Sequence, residues 1–566
     1  MEAKEVYRQW LEDPAIDEET KEELRAIEGS EEEIADRFYR ELEFGTAGLR
    51  GIIGAGTNRM NRYTVGKATQ GLADYINRAC PDGGASVAIA CDSRRMSPEF
   101  SDIAASVLNA NGIKTYVFES LRPTPELSFT IRRRGCISGI NITASHNAAE
   151  YNGYKVYWAD GAQITPPHDE GIMACVNAVS PLTAFKVMPK EQAKEQGLYV
   201  TIGKEDDEAY ISTIIGEIKD PEAVKKSADL LKIAYTPLHG TGITIVPEAL
   251  RRAGFKNISI VKEQSVPDGD FPTGKFPNPE MPEAFELADR LGKETGADLI
   301  IATDPDADRI GVHLKDAKGE YHALTGNMIG ALICDYELSR RAEKGSGKDG
   351  IPDDGFVVRS IVSGRMTDAI AKTYNVRLIE VLTGFKHIGR TILDAEESGK
   401  GTYLFGFEES YGFLTGDYAR DKDACGSALV LAEIAAYYKL KGITPWEAFC
   451  SLYEKYGYYM EKTISITKPG IKGLAEIADT MKRLRENSPE KIGSFRVKRS
   501  LDYNDPASTG LPKANVLYYD LGDGKWVSVR PSGTEPKIKY YIGVNGSSED
   551  EAISQLEEIS AVVTEL

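Results

Sequence analysis

Short apolar runs recur along most of the chain, separated by segments with helical patterning. Ser86–Cys91, Thr115–Phe118 and Ser138–Ile142 come first. Lys232–Tyr235, Ile258–Val261 and Ala297–Ala302 follow, and then Phe356–Val362, Val376–Leu382 and Thr402–Phe405. Runs this short, bounded by polar turns, read as buried strands, and strands alternating with helices of about 10–15 residues suggest parallel sheets built from βαβ units. At ~150 residues per domain, a chain of 566 residues has room for about four domains. The rhythm returns three times without a close sequence repeat. This predicts three similar α/β domains, over residues 1–203, 204–323 and 324–456. The remaining segment, 457–566, breaks the pattern. Val516–Asp520 and Trp526–Arg530 flank the turn Gly522-Asp523-Gly524, Ile538–Val544 follows, and a last helix starts near Ser548. That is an α+β domain with a hairpin.

Composition narrows the class. With 41% apolar and 27% charged residues the chain is neither collagen-like nor of low complexity. Its longest apolar stretches, such as Gly426–Ala432, fall far short of the ~20 residues needed to span a bilayer. The opening MEAKEVYRQWLEDP is charged and amphipathic, so no secretory signal is expected and the location predicted is cytoplasmic. The net charge of −19 argues against nucleic acid and anionic membrane as partners. The densest basic run, Arg132-Arg133-Arg134, reads as a solvated helix end. Seven scattered cysteines without a CxxC pair read as reduced thiols, not as a disulfide framework or a zinc site.

Four loops carry the chemistry. Thr143-Ala144-Ser145-His146-Asn147 follows the strand Ser138–Ile142, at the strand end where α/β sheets place active sites. Taken alone it also suits a polar turn. A serine hydrolase fits poorly: there is no GxSxG elbow, and an adjacent histidine rarely turns its ring onto its neighbour's hydroxyl. Ser145 is better suited to carry a phosphoryl group beside a cation. Asp304-Pro305-Asp306-Ala307-Asp308-Arg309 gathers three carboxylates after an apolar strand, a density of hard oxygen ligands that suits Mg²⁺. An EF-hand would need Gly at position 6 and Glu at position 12 of the loop, and here these are Arg309 and Lys315. A phosphatase with Asp304 as nucleophile, or a solvated acidic turn, are the remaining readings. Gly406-Phe407-Glu408-Glu409-Ser410-Tyr411-Gly412 can hydrogen-bond vicinal hydroxyls through Glu408 and Ser410, or be an ordinary loop. Arg530-Pro531-Ser532-Gly533-Thr534-Glu535-Pro536-Lys537 offers a guanidinium fork, two hydroxyls and a glycine to a phosphate, or is a plain turn.

Together the four loops resemble those of the α-D-phosphohexomutase superfamily, the phosphoglucomutases and phosphomannomutases, over nearly the whole chain and in the same order. Gly45-Thr46-Ala47-Gly48-Leu49-Arg50 and Asn58-Arg59-Met60-Asn61 look closest to the branch holding phosphoglucomutase and phosphopentomutase-like members. The resemblance implies four domains around a central cleft, three α/β domains with mixed sheets and a C-terminal α+β domain. Ser145 then matches the phosphorylated serine, and Asp304, Asp306 and Asp308 match the Mg²⁺ ligands, with an oxygen of the phosphoserine completing the set. Glu408 and Ser410 match sugar contacts, with Thr383-Gly384 as an adjoining substrate loop. Arg530, Ser532, Gly533 and Thr534 match a distal phosphate site, and Arg50 and Arg309 match arginines near the transferring group. His146, Lys155 and Lys422 match the residues proposed to move protons; surface or strand lysines and a loop histidine are their bland readings. A lysine of depressed pKa serves as either acid or base. The implied cofactors are Mg²⁺ and glucose 1,6-bisphosphate as intermediate, the partners small sugar phosphates, and the state a monomer or small homo-oligomer. Many members continue TASHN with proline; here Ala148-Ala149 follow, which predicts a looser loop. A phosphatase or a non-catalytic sugar-phosphate binder are the competing readings.

Overall fold

The computed structural model describes residues 3–45, 48–347, 350–468, 470–532 and 537–566, which form two compact units. The first comprises residues 1–313, 389–399 and 412–440. It opens with three helices, Ala3–Glu12, Glu18–Ala26 and Glu31–Phe38, whose Tyr7, Trp10, Leu24, Ile34 and Phe38 pack with Tyr63. Asp17 and Ser30 cap the second and third by accepting from Thr20 N and Glu33 N.

The six-stranded sheet that follows has the order Gly48–Ile52, Tyr151–Trp158, Ser138–Ile142, Ser86–Cys91, Lys114–Phe118, Tyr199–Ile202. The last four strands are parallel, as the apolar rhythm predicts. Tyr151–Trp158 returns antiparallel to Ser138–Ile142, and Gly48–Ile52 pairs antiparallel to it. The loop between Ile142 and Tyr151 is too short for a crossover helix, so the chain must double back. The sheet is therefore mixed. In the next sheet Lys232–Thr236 lies between the parallel strands Asn257–Ile260 and Leu299–Thr303. Helix Ala424–Leu440, apolar on nearly every side, is buried against helices Gly242–Ala253 and Pro221–Ser227. The arginine run is not merely solvated: Arg133 and Arg134 both pair with the fully buried Asp206 at the start of helix Lys204–Gly216.

The second unit comprises residues 314–388, 400–411 and 441–566. Its strand Gly355–Ser360 runs parallel between Arg377–Val381 and Thr402–Glu408. Its C-terminal sheet is antiparallel, ordered Tyr458–Thr467, Lys537–Gly546, Lys525–Pro531, Leu517–Gly522, Arg499–Asp502. The hairpin expected at Gly522-Asp523-Gly524 forms, with all three residues at positive φ, and the last helix runs Glu549–Val562 behind its cap Ser548. Among the described residues all seven cysteines are free thiols, and no helix is long and apolar enough to cross a membrane.

One carboxyl in the second unit sets up a pH dependence. Glu461, on strand Tyr458–Thr467, packs in a small cavity with Met328, Ala331, Met366 and Phe449 and is hydrogen-bonded by Asn327. Burial outweighs that bond and the nearby Arg359 charge, and pushes its pKa up to about 7 from 4.5. The folded state thus holds the proton more tightly than the unfolded chain. Its contribution to stability is complete below pH ~4.5 and is lost as pH rises through 7, by at most about 1.4 kcal/mol per pH unit. Glu461→Gln should flatten this slope and raise the thermal midpoint at pH 8. Melting curves of both proteins from pH 5 to 8 check it; parallel curves would show that the carboxyl titrates normally.

Candidate active site

In the first unit the strand Ser138–Ile142 is buried throughout and delivers Thr143-Ala144-Ser145 at its C-terminal end. Ser145 has φ +53°, in the left-handed region that a non-glycine residue adopts only when its surroundings hold it there. Its N–H donates to Thr143 Oγ1 at 2.8 Å, and Thr143 Oγ1 in turn donates to Asp92 Oδ2 at 2.6 Å. The Ser145 hydroxyl donates to Asp304 Oδ2 at 2.6 Å and lies 3.2 Å from His146 Nδ1. The expectation that the adjacent ring would point elsewhere is thus overturned. The left-handed turn at Ser145 breaks the usual alternation and brings consecutive side chains together. Burial and the Arg309 and Arg50 charges push the His146 pKa well below its ordinary value, which favours a neutral ring. Among the described residues no carboxylate accepts from its other nitrogen, so no hydrolase triad is assembled. Arg50, on strand Gly48–Ile52, reaches the same loop through Asn147 Oδ1 at 3.3 Å.

The acidic loop follows strand Leu299–Thr303. Ala307, at φ +49°, turns the chain so that Asp304, Asp306 and Asp308 each offer a carboxylate oxygen within 4.8 Å of the others, all buried. Asp304 Oδ1 accepts from the N–H groups of Asp308 at 3.1 Å and Arg309 at 3.0 Å. Asp306 Oδ2 accepts from Lys155 Nζ at 2.7 Å and Thr124 Oγ1 at 2.8 Å. Lys422 Nζ lies 2.7 Å from Asp308 Oδ2, and Arg309 pairs with Glu280. Burial and the other two aspartates push the Asp304 pKa well up. For Asp306 the neighbouring ammonium groups, Lys155 first, overcome the burial cost and bring the pKa down. Burial lowers the Lys155 pKa less than Asp306 and Asp308 raise it, so it stands above the ordinary value. Asp306 Oδ1 and Asp308 Oδ1 are buried and accept no hydrogen bond. Two unbonded carboxylate oxygens in a cluster of three buried aspartates, one of them bonded by the Ser145 hydroxyl, are a donor set that fits a small hard cation.

Lys155 reaches this loop because Gly153 lets its strand come close: a Cβ there would lie 2.4 Å from Thr143 O. Lys422 is held by its neighbours. Asp421 accepts from Tyr157 Oη and Gln163 Nε2, and Asp423 from Tyr210 Oη and Tyr418 Oη.

Sequence reading missed three residues here. Thr124, at the start of helix Thr124–Arg134, bonds Asp306 and is itself bonded by Asn141 Nδ2 at 2.6 Å. Arg94, fully buried, reaches the carbonyls of the serine loop. Strand order would have exposed Arg94, since Ser86–Cys91 and Ser138–Ile142 are neighbours and end side by side.

In the second unit Glu408 ends strand Thr402–Glu408 and accepts from Gly384 N at 2.7 Å, which joins Thr383-Gly384 to the GFEES loop. Thr383 Oγ1 is buried with no hydrogen bond. Glu409 turns away to Ser360 and Ser363, while Ser410 is half-buried. Arg530 hydrogen-bonds Tyr541, whose hydroxyl also feels Glu408 and Glu409. Ser532 N donates to Lys537 O at 2.7 Å. Gly533 and Thr534, like Thr46 and Ala47, lie outside the described residues.

Comparison with known proteins shows the family. Four family models match in order: phosphoglucomutase/phosphomannomutase α/β/α domain I over residues 41–182, domain II over 208–319, domain III over 325–456, and the C-terminal domain over 474–561. A phosphoglucomutase of Staphylococcus haemolyticus is 36% identical over 518 residues, covering 90% of this chain and 91% of the relative. The solved structure of pp63/parafusin, a phosphoglucomutase from Paramecium in an open form, aligns with a TM-score of 0.69 at 19% identity. It covers 93% of this chain and 96% of its own. A phosphoglucomutase/phosphomannomutase family protein from Burkholderia thailandensis aligns with a TM-score of 0.64 at 18% identity, covering 92% and 97%.

The unbonded oxygens make cation binding measurable. Asp306→Asn replaces an anionic ligand by a neutral one and should weaken Mg²⁺ binding tenfold or more, about 1.4 kcal/mol. Titration calorimetry of wild type and variant gives the ratio; equal affinities would remove Asp306 from the ligand set.

Proposed function

The chain belongs to the phosphoglucomutase/phosphomannomutase family, and from that premise we propose that it interconverts glucose 1-phosphate and glucose 6-phosphate through a phosphorylated Ser145 and a glucose 1,6-bisphosphate intermediate. The observation that carries this reading is the Ser145 hydroxyl, turned by a left-handed backbone onto Asp304, one of three clustered buried carboxylates, the other two of which keep an oxygen unbonded.

In the first half-reaction the phosphoryl group leaves Ser145 Oγ for a sugar hydroxyl, whose proton is taken by the protein while Ser145 Oγ regains one. The bisphosphate then turns around and returns its other phosphoryl group to Ser145. A Mg²⁺ ion held by Asp304, Asp306, Asp308 and a phosphoryl oxygen would polarise the transferring group and offset its charge. Arg50 and Arg309 stand by the same loops to balance charge that moves with the phosphoryl group. His146, Lys155 and Lys422 are the groups within reach of the proton steps. Glu408 and Ser410, with Thr383-Gly384, recognise the sugar hydroxyls, and Arg530, Ser532, Gly533 and Thr534 hold the phosphate that is not reacting. These four loops are assigned one to each domain, with boundaries at 1–203, 204–323, 324–456 and 457–566.

A phosphatase with Asp304 as nucleophile is poorly supported. Both Asp304 oxygens are already engaged, by Ser145 Oγ and by two main-chain N–H groups. Glucose is the preferred sugar because Glu408 and Ser410 suit a pair of equatorial hydroxyls that recur in both orientations of the bisphosphate. Phosphomannomutase and phosphopentomutase activities are the alternatives with the same mechanism.

Two measurements test the assignment. Intact-protein mass spectrometry should show a fraction heavier by one phosphoryl group, and Ser145→Ala should lose both that adduct and mutase activity. Activity retained in the variant would move the nucleophile elsewhere. In a side-by-side assay, kcat/KM should be highest for glucose 1-phosphate, with mannose and pentose phosphates lower by a factor of about ten or more. A pentose phosphate winning would sink the glucose assignment and leave the mechanism standing.

A further inference from the structure

The loop that carries Ser145 contains no proline between Thr143 and Tyr151, so no ring fixes φ along it. Among the groups that tie it, one side chain takes four of its carbonyls. Arg94 Nη2 donates to Ser145 O and Asn147 O, each at 2.5 Å, and Arg94 Nη1 donates to Ala148 O at 2.8 Å and Tyr151 O at 3.0 Å. Arg94 is 1% exposed. Its Nε lies 3.3 Å from Asp92 Oδ2, and the Phe271 ring packs on its face at 5.0 Å. The carbonyl of Ala148, the residue that stands where many family members have proline, is itself one of the tied groups.

We propose that Arg94 is a positioning residue for phosphoryl transfer, fixing Ser145 in its left-handed conformation by gathering four carbonyls of its loop onto one guanidinium. The proposal rests on Ser145 being the phosphoryl carrier. Ser145 is gripped from both sides of its Cα. Its carbonyl is held by Arg94, and its N–H is held by Thr143 Oγ1, which Asp92 orients. Asp92 closes the circuit, because Oδ1 also accepts from Arg94 N at 2.9 Å and Ser97 Oγ at 2.9 Å. A planar fork with five N–H donors suits this task. An ammonium group has only three donors on one atom and cannot span four carbonyls spread over seven residues of chain. Released from the clamp, Ser145 would relax toward ordinary backbone angles and carry its hydroxyl away from Asp304. A displacement of about 1 Å in a reacting atom can cost on the order of a hundredfold in rate.

The test compares wild type with Arg94→Lys, Arg94→Ala and Asp92→Asn, each checked for folding by its melting curve. Phosphorylation of Ser145 by glucose 1,6-bisphosphate is followed by rapid quench and mass spectrometry, and steady-state kcat and KM are measured with glucose 1-phosphate. The clamp predicts that Arg94→Lys loses tenfold or more in the transfer rate and in kcat while KM stays within about threefold. Arg94→Ala should lose more and regain part of its rate with added guanidinium. A purely structural role would lower the melting midpoint and leave the rate per folded molecule unchanged; that result overturns the proposal. If neither Arg94 variant folds, Asp92→Asn decides: a wild-type transfer rate overturns the clamp, and a slowed one with unchanged KM supports it. Failure of the underlying reading looks different, since wild type itself would then take up no phosphoryl group, and the clamp would fall with it.

Discussion

Three carboxylates buried in one loop repel each other and resist leaving water, and the first unit is arranged around offsetting that cost. Lys155 arrives from an antiparallel strand, Lys422 from the segment before helix Ala424–Leu440, and Thr124 from a helix N-terminus. The compensation is uneven. Asp306 and Asp308 have ammonium partners that hold their pKa down, while Asp304 takes a hydroxyl and two main-chain N–H groups and is pushed up. The least compensated carboxylate is thus the one that meets Ser145. Two lysines do not fill four carboxylate oxygens, and the two left over describe a cation site more sharply than the acidic composition of the loop does.

The sheet determines which groups can meet. Parallel strands end at the same edge, so loops that follow neighbouring strands become neighbours themselves. Ser86–Cys91 and Ser138–Ile142 are such a pair, and they bring Arg94 to the carbonyls of the Ser145 loop. The antiparallel return through Tyr151–Trp158 is equally necessary, because it runs the chain back beneath the same loop. It places Lys155 in register opposite Asn141.

Much of this was legible without coordinates, and the boundary follows the range of the interactions. Strands such as Ser86–Cys91 and Ser138–Ile142 could be read to the residue, because an apolar run between turns is local information. The acidic loop and the serine loop were legible for the same reason, since their functional atoms sit on consecutive residues. The N-terminal helices and Tyr151–Trp158 were not: the former lean on Tyr63, and the latter is a strand because of what it pairs with. The direction of the Lys155 pKa was not legible, because two carboxylates far away in sequence decide it. The orientation of His146 was misjudged because one backbone angle, at Ser145, reverses the rule for adjacent side chains.

The net charge of −19 is the feature most easily misread. An acidic chain repels anions at long range, yet the proposed substrates are dianions. Fields from exposed charges are screened within a Debye length of about 8 Å at physiological salt, whereas groups buried beside a reacting atom act at full strength. Around the serine and acidic loops the buried cations are Arg94, Lys155 and Lys422, with Arg309 mostly enclosed, and the proposed transfer would bring phosphoryl charge to them. Each is already engaged with a carboxylate or with carbonyls, so an incoming phosphoryl group meets cations whose positions are fixed in advance. Preorganised charge of that kind does not have to be assembled as the reaction proceeds, which is where most of its catalytic value lies. The acidic surface governs how the molecule behaves in solution, while the buried cations govern what it can hold.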